Sequence, residues 1–226
     1  MHFESVKTLL AAIPECRACL FRNPRIAPLA PREVRVPVKI MFIGENPSWA
    51  EHQSEPFAPE TISGKALQDH YLSPLNLPRE EVWITDLIKC RYPAKTKWAG
   101  YSLDIYRTKA KNEAKVREVA YKCATLWLAE EIRLARSEVI VTLSDAQVYQ
   151  KFRNAFALHT PARFENAVGK RHYIDIQGFK TILFPMIHPD VSRPVDDDGR
   201  KIHVRRKWAP LHQEMHIPNL KQVVGT

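Results

Sequence analysis

The chain has four cysteines, at positions 16, 19, 90 and 123, and thiolates at these spacings could bind a metal. Cys16 and Cys19 form a Cys-x-x-Cys pair, which lets two thiolates reach one metal centre from a single turn of backbone. The sequence shows no secretory signal, so we expect a reducing compartment in which structural disulfides are disfavoured. The pattern therefore predicts a four-cysteine metal site, with scattered buried thiols or a redox pair as alternatives. The spacing suits zinc and iron-sulfur centres equally.

Three polar segments follow apolar, strand-like runs and carry side chains suited to catalysis. They are Gly-Glu-Asn-Pro-Ser at 44–48, Thr-Asp-Leu-Ile-Lys-Cys-Arg-Tyr-Pro at 85–93 and Ile-His-Pro at 187–189. Each alone is typical of a turn or of a strand end. At the ends of parallel strands, however, all three would converge on one cleft.

The elements that must position these segments alternate between strands and helices. Runs rich in β-branched residues predict strands at 38–43, 82–86, 139–143 and 181–184, and helical periodicity predicts helices near 64–71, 112–136 and 145–156. A Gln-Gly turn at 177–178 indicates a hairpin before the last strand. We therefore predict a single α/β domain with a central, mainly parallel four-stranded sheet flanked by helices on both faces.

The charge of the chain favours a polyanionic partner such as nucleic acid. The formal net charge is +9 and the isoelectric point is near 9.4. Much of this charge lies in two basic stretches, which are Arg107, Lys109, Lys111, Lys115, Arg117 and Lys122, and Arg200, Lys201, Arg205, Arg206 and Lys207. Such clusters also occur as ordinary solvated faces. No apolar run has membrane-spanning length, so we expect no membrane partner and a cytoplasmic protein. If the polyanionic partner is DNA, the protein would be associated with a prokaryotic nucleoid.

In combination, these motifs resemble the uracil-DNA glycosylase superfamily, and most closely its iron-sulfur branch, family 4. That branch has an N-terminal Cys-x-x-Cys, a Gly-Glu-x-Pro-Gly loop followed by Glu and Pro-Phe, a Thr-Asn-x-x-Lys-Cys-Arg-Pro-Pro segment, a fourth cysteine and a late His-Pro. The matching pieces here are Cys16 and Cys19, 44–48 with Glu51 and 56–57, 85–93, Cys123, and 188–189. The resemblance implies one glycosylase-like domain over residues 1–226, with a [4Fe-4S] cluster held by Cys16, Cys19, Cys90 and Cys123. Zinc is the alternative metal.

The resemblance also implies roles for individual side chains. Phe57 matches the position whose ring stacks on the extruded base, and His188 matches the histidine that donates to a base carbonyl. Asn46 occupies the position of a water-activating Asp or Asn in other branches of the superfamily. Glu45 and Glu51 match carboxylates that could activate or polarise that water. A core phenylalanine and ordinary surface acids are the alternatives for Phe57 and the two glutamates.

Two features depart from the family 4 pattern. Asp86 stands where the family has an asparagine that accepts from N3–H of uracil and donates to O4. An ionised carboxylate can only accept, whereas a protonated one could pair with an edge of one acceptor and one amino donor, as in cytosine or adenine. The stretch 91–122 is longer than we expect and contains Trp98, Tyr101 and Tyr106 among lysines. This composition suits single-stranded or opened DNA, or a locally packed insertion.

The sequence therefore predicts a DNA glycosylase that flips out a deaminated or damaged base, uracil or a related base, and hydrolyses its N-glycosidic bond in base excision repair. Its partner is lesion-containing DNA, single- or double-stranded, and we expect a monomer. The basic stretches would bind phosphates, while Val191 and Arg193 resemble the loop that inserts into the duplex. One alternative is a catalytically weak or inactive iron-sulfur nucleic-acid-binding protein of the same fold, which Asp86 favours. Another is a zinc-stabilised α/β protein with an unrelated small-molecule site.

Overall fold

The computed structural model describes residues 2–19, 21, 26–47, 54–91, 109–192 and 202–225, which surround a five-stranded sheet. The strands are β1 (Ile40–Gly44), β2 (Trp83–Asp86), β3 (Val139–Thr142), β4 (His172–Ile176) and β5 (Phe179–Leu183). Their order is β2-β1-β3-β5-β4, with β4 antiparallel to β5 and the other neighbouring pairs parallel. The predicted mainly parallel sheet is confirmed.

The sheet has five strands rather than the predicted four, and the additional one is the edge strand β4. The 177–178 turn joins β4 to β5 as predicted, with φ of +53° at Gln177 and +87° at Gly178. Ile174 and Ile176 are buried while Tyr173 and Asp175 are exposed, so β4 alternates as an edge strand does. Its polar outer face made it a weaker strand signal than the buried parallel strands.

Helices cover both faces of the sheet, as predicted. Met41 and Ile43 of β1 point into one hydrophobic core, and Ile40 and Phe42 point into the other. The first core is completed by α1 (Val6–Ala12), α3 (Lys109–Cys123), α4 (Ala129–Ala135), α5 (Gln150–Ala155) and α6 (Phe164–Ala167). The second is completed by α2 (Ile62–Leu67) and the last helix, α9 (Ile217–Val224).

The three predicted helices are present, each joined to a π-helical turn. The turns are Gln68–Leu72 after α2, Ala124–Leu128 between α3 and α4, and Asp145–Tyr149 before α5. Helix α1, the short helices α6 and α7 (Pro189–Ser192), α8 (Ile202–Leu211) and α9 were not predicted. No helix of the described residues is both long and apolar enough to pass through a bilayer.

Backbone hydrogen bonds fix the ends of the parallel strands relative to one another. Leu87 N–H donates to Gly44 O at 2.9 Å and Ile88 N–H to Glu45 O at 2.9 Å, which joins the loops after β1 and β2. On the other side, Ser144 N–H donates to the carbonyl of residue 186 at 2.9 Å, which joins the segments after β3 and β5. The polar segments predicted to lie together therefore share one edge of the sheet.

Candidate active site and cysteine cluster

Gly44 lies between two candidate base-binding side chains. Gly44 and Asp86 are register partners at the ends of β1 and β2. A Cβ atom on Gly44 would lie 2.3 Å from Asp86 Oδ1 and 2.3 Å from a ring carbon of Phe57, so only glycine fits. The Phe57 ring is 6.1 Å from the His188 ring, centroid to centroid, at an angle of 39°. The structure thus places Asp86 and Phe57 against one glycine, with His188 next to the Phe57 ring.

An ion-paired arginine holds the backbone of Phe57 in the left-handed region. Phe57 has φ of +51°, which is strained for a residue with a Cβ. Arg79 Nη2 donates to the carbonyls of Phe57 at 2.6 Å and Pro56 at 3.1 Å, while its Nε donates to Glu55 at 3.0 Å. Arg32 pairs with the same carboxylate at 2.7 Å. These contacts offset the strain and fix the direction of the ring.

The first turn of α2 packs behind the same loop. A Cβ atom on Gly64 would lie 2.5 Å from Phe57 O and 2.0 Å from Ala58 O. Thr61 Oγ1 donates to Ala58 O at 2.8 Å and accepts from Gly64 N–H at 2.9 Å, which caps the helix. The loop is therefore held both from the Arg79 side and from the α2 side.

Asp86 is a buried carboxyl group, with 1% of its surface exposed. Neither of its carboxyl oxygens has a hydrogen-bond partner among the described residues. Burial raises the pKa of Asp86 to about 7; Lys89 opposes this shift, while the charges of Glu131 and Glu45 add to it. At pH 7 the neutral acid and the carboxylate are therefore both populated.

Lys89 and Glu131 form a buried ion pair beneath the end of β2. They are 1% and 0% exposed, and Lys89 Nζ contacts Glu131 Oε1. The ammonium also donates to Thr85 Oγ1 at 2.6 Å and to the backbone oxygen of Asp86 at 2.6 Å, while Trp83 Nε1–H donates to Glu131 at 3.0 Å. Lys89 thus orients the backbone of Asp86, whereas its charge is paired with Glu131.

The segment that carries His188 is fixed by three hydrogen bonds. Tyr71 O–H donates to the carbonyl of Ile187, one residue before the histidine. Asp190 N–H donates to His188 Nδ1 at 3.2 Å, which assigns the ring proton to Nε2 in a neutral imidazole. Val191 N–H donates to His188 O at 2.8 Å, and the Val191 side chain is partly buried against the core. Arg193 lies outside the described residues.

The water-activating candidates lie in the loop after β1. Asn46 Nδ2 donates to the adjacent Pro47 O at 3.0 Å, which orients its amide. Glu45 forms an ion pair with Lys151 of α5, and the two side chains are 21% and 13% exposed. Glu51 lies outside the described residues.

The four cysteines come from distant parts of the chain and lie together. The Cys19 thiol is hydrogen-bonded to those of Cys90 and Cys123, and Cys16 is close enough to Cys90 to interact with it electrostatically. Cys16, Cys90 and Cys123 are buried, and Cys19 is half-buried. Even so, no group of three or more His, Cys, Asp or Glu side chains in the described part of the chain has the arrangement that holds a metal ion. The contacts between the thiols show which groups a metal centre at this position could reach.

The surroundings of these thiols suit thiolate ligands. Trp127 Nε1–H donates to Cys16 Sγ at 3.3 Å, and the backbone N–H of Lys89 hydrogen-bonds to Cys123. The pKa of Cys90 and that of Cys123 are raised, first by the hydrogen bond from each to Cys19 and then by burial. Neighbouring thiolates repel one another, so ionising all four requires a cation among them. The donor set fits a four-thiolate metal centre.

Comparison with known proteins identifies the family of the chain. The family model of the uracil DNA glycosylase superfamily matches residues 31–197 of the 226. The chain belongs to this superfamily. A type-4 uracil-DNA glycosylase of Saccharolobus solfataricus is 27% identical over 208 residues, which cover 87% of this chain and 83% of that protein. Those of Sulfurisphaera tokodaii and Archaeoglobus fulgidus are 25% and 27% identical, over 88% and 82% of this chain and 82% of each relative.

The basic stretches of this superfamily member are only partly described. Lys115, Arg117, Arg206 and Lys207 are exposed, as phosphate-binding side chains must be. Lys122 is exposed as well and pairs with Glu118 at 3.0 Å. The side chains of Lys109, Lys111 and Arg205, and the whole of Arg107, Arg200, Lys201, Trp98, Tyr101 and Tyr106, lie outside the described residues.

Sequence reasoning missed the side chains that support the glycosylase-like site. Lys89 lies within the matched segment 85–93, so its motif position was a signal that could have identified it. Arg79, Glu55 and Lys151 carried no such signal, because an isolated charged residue does not reveal a partner distant in the sequence.

Proposed function

We infer that the protein is a DNA glycosylase that flips out a deaminated or damaged base and hydrolyses its N-glycosidic bond in base excision repair. The observation that carries this is that Asp86 and Phe57 lie against Gly44, with His188 next to Phe57, at the strand ends of a chain of this superfamily. The type-4 uracil-DNA glycosylases it resembles make uracil the first substrate to test.

The extruded base stacks on Phe57 and accepts a hydrogen bond from His188. As the glycosidic bond breaks, negative charge accumulates on the base, and a fixed donor next to its carbonyl lowers the barrier. The hydrogen bond from Asp190 N–H to Nδ1 supports a neutral imidazole that donates through Nε2–H. Because the donor is fixed before the base arrives, little reorganisation is needed during the reaction.

Water reaches the anomeric carbon from the loop after β1. The amide oxygen of Asn46 orients this water, since its nitrogen already bonds to Pro47. Glu45 and Glu51 supply negative charge that polarises the water and favours the cationic sugar. The ion pair with Lys151 supports a fixed position for Glu45.

Cys16, Cys19, Cys90 and Cys123 hold a [4Fe-4S] cluster, with zinc as the alternative. The adjacency of the thiols and the two N–H donors support this, as does the type-4 name of the relatives. Its contribution when bound is structural, because it ties the N-terminal segment and α3 to the loop after β2 within one domain over 1–226.

DNA binds through exposed lysines and arginines of the two basic stretches, with Val191 and Arg193 inserting beside the flipped nucleotide. Lys115, Arg117, Arg206 and Lys207 are the exposed members that support this surface. The protein acts on single- or double-stranded lesion DNA as a monomer.

A second candidate is a nucleic-acid-binding protein of the same fold with little or no turnover. The observation in its favour is Asp86 at the family asparagine position, because a carboxylate there repels the uracil O4. Single-turnover assays separate the two candidates. The substrates are oligonucleotides with uracil, hypoxanthine, xanthine, adenine or cytosine, in single strands and in each mismatch.

A glycosylase releases a free base and leaves an abasic site, whereas a binding protein retards the same DNA and releases nothing. Asn46→Ala and His188→Ala should each reduce release without abolishing DNA binding, because they act on the water and the leaving group rather than on phosphates. Release that survives both substitutions unchanged would contradict the assigned site.

A further inference from the structure

The Asp86 carboxyl group lacks hydrogen-bond partners in a place where a ligand could supply them. Both of its oxygens are buried and unpartnered within the described residues, which is a costly arrangement for a polar group. Oδ1 and the Phe57 ring both lie 2.3 Å from the position that a Gly44 Cβ would occupy, so both pack against the same face of Gly44 and are close to each other. A polar group held in this way beside a base-stacking ring points to hydrogen bonds from the base itself.

Among the described residues, no cation forms an ion pair with the Asp86 carboxyl group. From the loop after β2, Lys89 contacts the Asp86 backbone oxygen and pairs with Glu131 of α4. From the loop after β1, Glu45 pairs with Lys151. Burial raises the pKa of Asp86 to about 7, Lys89 lowers it, and Glu131 and Glu45 raise it further.

On the β5 side of the pocket, His188 Nδ1 accepts from Asp190 N–H at 3.2 Å, which fits an imidazole that carries its proton on Nε2. Glu51 lies outside the described residues. The geometry and the charges therefore agree on an uncharged Asp86 in the occupied pocket.

We propose that Asp86 binds the flipped base as a neutral carboxylic acid, donating to a carbonyl oxygen of the base and accepting from the adjacent ring N–H. The proposal rests on the glycosylase function above and names its substrate class. The base of this proposal carries an N–H between two carbonyls, as uracil does at O2, N3–H and O4. A neutral acid can also match the N3 and amino edge of cytosine, so the release of cytosine is compared with that of uracil in the test. His188 donates to one carbonyl, and Asp86 binds the other together with the N–H.

This assignment makes base excision depend on pH in a way that an asparagine at position 86 does not. Above pH 7 the neutral fraction of Asp86 falls about tenfold per pH unit as the carboxyl group ionises. The ionised form can only accept hydrogen bonds and repels the carbonyl of the base, so excision should fall with the neutral fraction. About half of the molecules carry a neutral Asp86 at pH 7 and about 1% at pH 9. Excision of uracil by the unmodified protein should therefore lose about fiftyfold over this range relative to Asp86→Asn.

The experiment compares single-turnover uracil excision by the unmodified protein, Asp86→Asn and Asp69→Asn between pH 5.5 and pH 9. Asp69 is exposed on the turn after α2, so Asp69→Asn makes the same chemical change away from the pocket. Titration of other catalytic groups affects all three proteins and cancels in the ratio of rates. We expect the excision rate of the unmodified protein, divided by that of Asp86→Asn, to fall about fiftyfold from pH 7 to pH 9. The rate of Asp69→Asn should have the same pH dependence as that of the unmodified protein.

A ratio that does not change with pH would overturn the proposal while leaving the glycosylase function intact, as would faster release of cytosine than of uracil. Infrared spectra of the unmodified protein provide a test that does not depend on a variant. A buried neutral carboxyl band should persist at pH 6, and titration of Asp86 near its ordinary value of 3.8 would also overturn the proposal. If no protein releases any base at any pH, although each still binds DNA, the glycosylase function fails and this proposal fails with it.

Discussion

Removing the guanidinium of Arg79 should slow excision by weakening the support of Phe57. Arg79→Met keeps much of the apolar stem and deletes the donors to Phe57 O, Pro56 O and Glu55. A hydrogen bond to a charged group contributes about 1.5 to 3 kcal/mol, and Glu55 keeps Arg32 as its partner. We expect the free energy of unfolding to fall by about 3 kcal/mol.

The effect on excision follows from the left-handed backbone of Phe57. Without the two carbonyl contacts, the strain at φ of +51° favours another conformation, and the ring loses its fixed position. Stacking of a base on an aromatic side chain contributes about 1 to 3 kcal/mol, so excision should slow by about tenfold to a hundredfold. Binding of abasic DNA should change little, because phosphate contacts remain.

The assay is single-turnover excision well below the melting temperature, with Arg163→Met as the control. Arg163 is exposed, so its replacement removes the same charge without touching the loop. A double-mutant cycle with Phe57→Ala isolates the coupling, because Arg79→Met should cost little further activity once the ring is gone. An unchanged excision rate in Arg79→Met would refute this reasoning. So would a loss of excision rate on Arg79→Met that is as large in the Phe57→Ala background as in the unmodified protein.

Two further predictions concern stability and metal content. The pKa of Asp86 in the folded protein, about 7, lies above its ordinary value of 3.8. The contribution of Asp86 to the free energy of unfolding is therefore complete below about pH 4 and is lost as the pH rises through about 7. We expect the free energy of unfolding of Asp86→Asn, relative to that of the unmodified protein, to rise by on the order of 4 kcal/mol between pH 4 and pH 8, as measured by denaturant unfolding. The same pH dependence in both proteins would contradict this. Protein purified without oxygen from cells that build clusters should be brown with a broad visible absorption that is bleached on reduction, and Cys90→Ala should lose the colour and part of the stability. A colourless protein with stoichiometric zinc and no iron would contradict the cluster.

The fold was predictable because its strongest signals are local. The parallel strands are short runs rich in apolar and β-branched residues; β1, β2 and β3 are buried throughout, and β5 is buried in part. The structure has each of them within a few residues of its predicted bounds. The C-terminal helices were missed, since Pro210 lies inside α8 and Pro218 lies in the first turn of α9, and both weaken a helical pattern. The fifth strand was implied by the hairpin but was not counted.

The candidate site was predictable only as far as motifs go. The strand-end rule brought the segments of Gly44, Asp86 and His188 to one edge of the sheet, where the structure has them. The protonation of Asp86 depends on burial and on charges from other elements, so its residue type alone indicated an anion. The support of Phe57 by Arg79 is likewise a property of tertiary packing rather than of the motif.

The most direct test of the glycosylase function is single-turnover release of uracil from a single-stranded oligonucleotide at pH 6, where Asp86 is mostly neutral. We expect free uracil and an abasic site, with at least a tenfold lower rate for His188→Ala at unchanged DNA binding. Tight binding of the same DNA without release of uracil, by the unmodified protein and by Asp86→Asn alike, would contradict it.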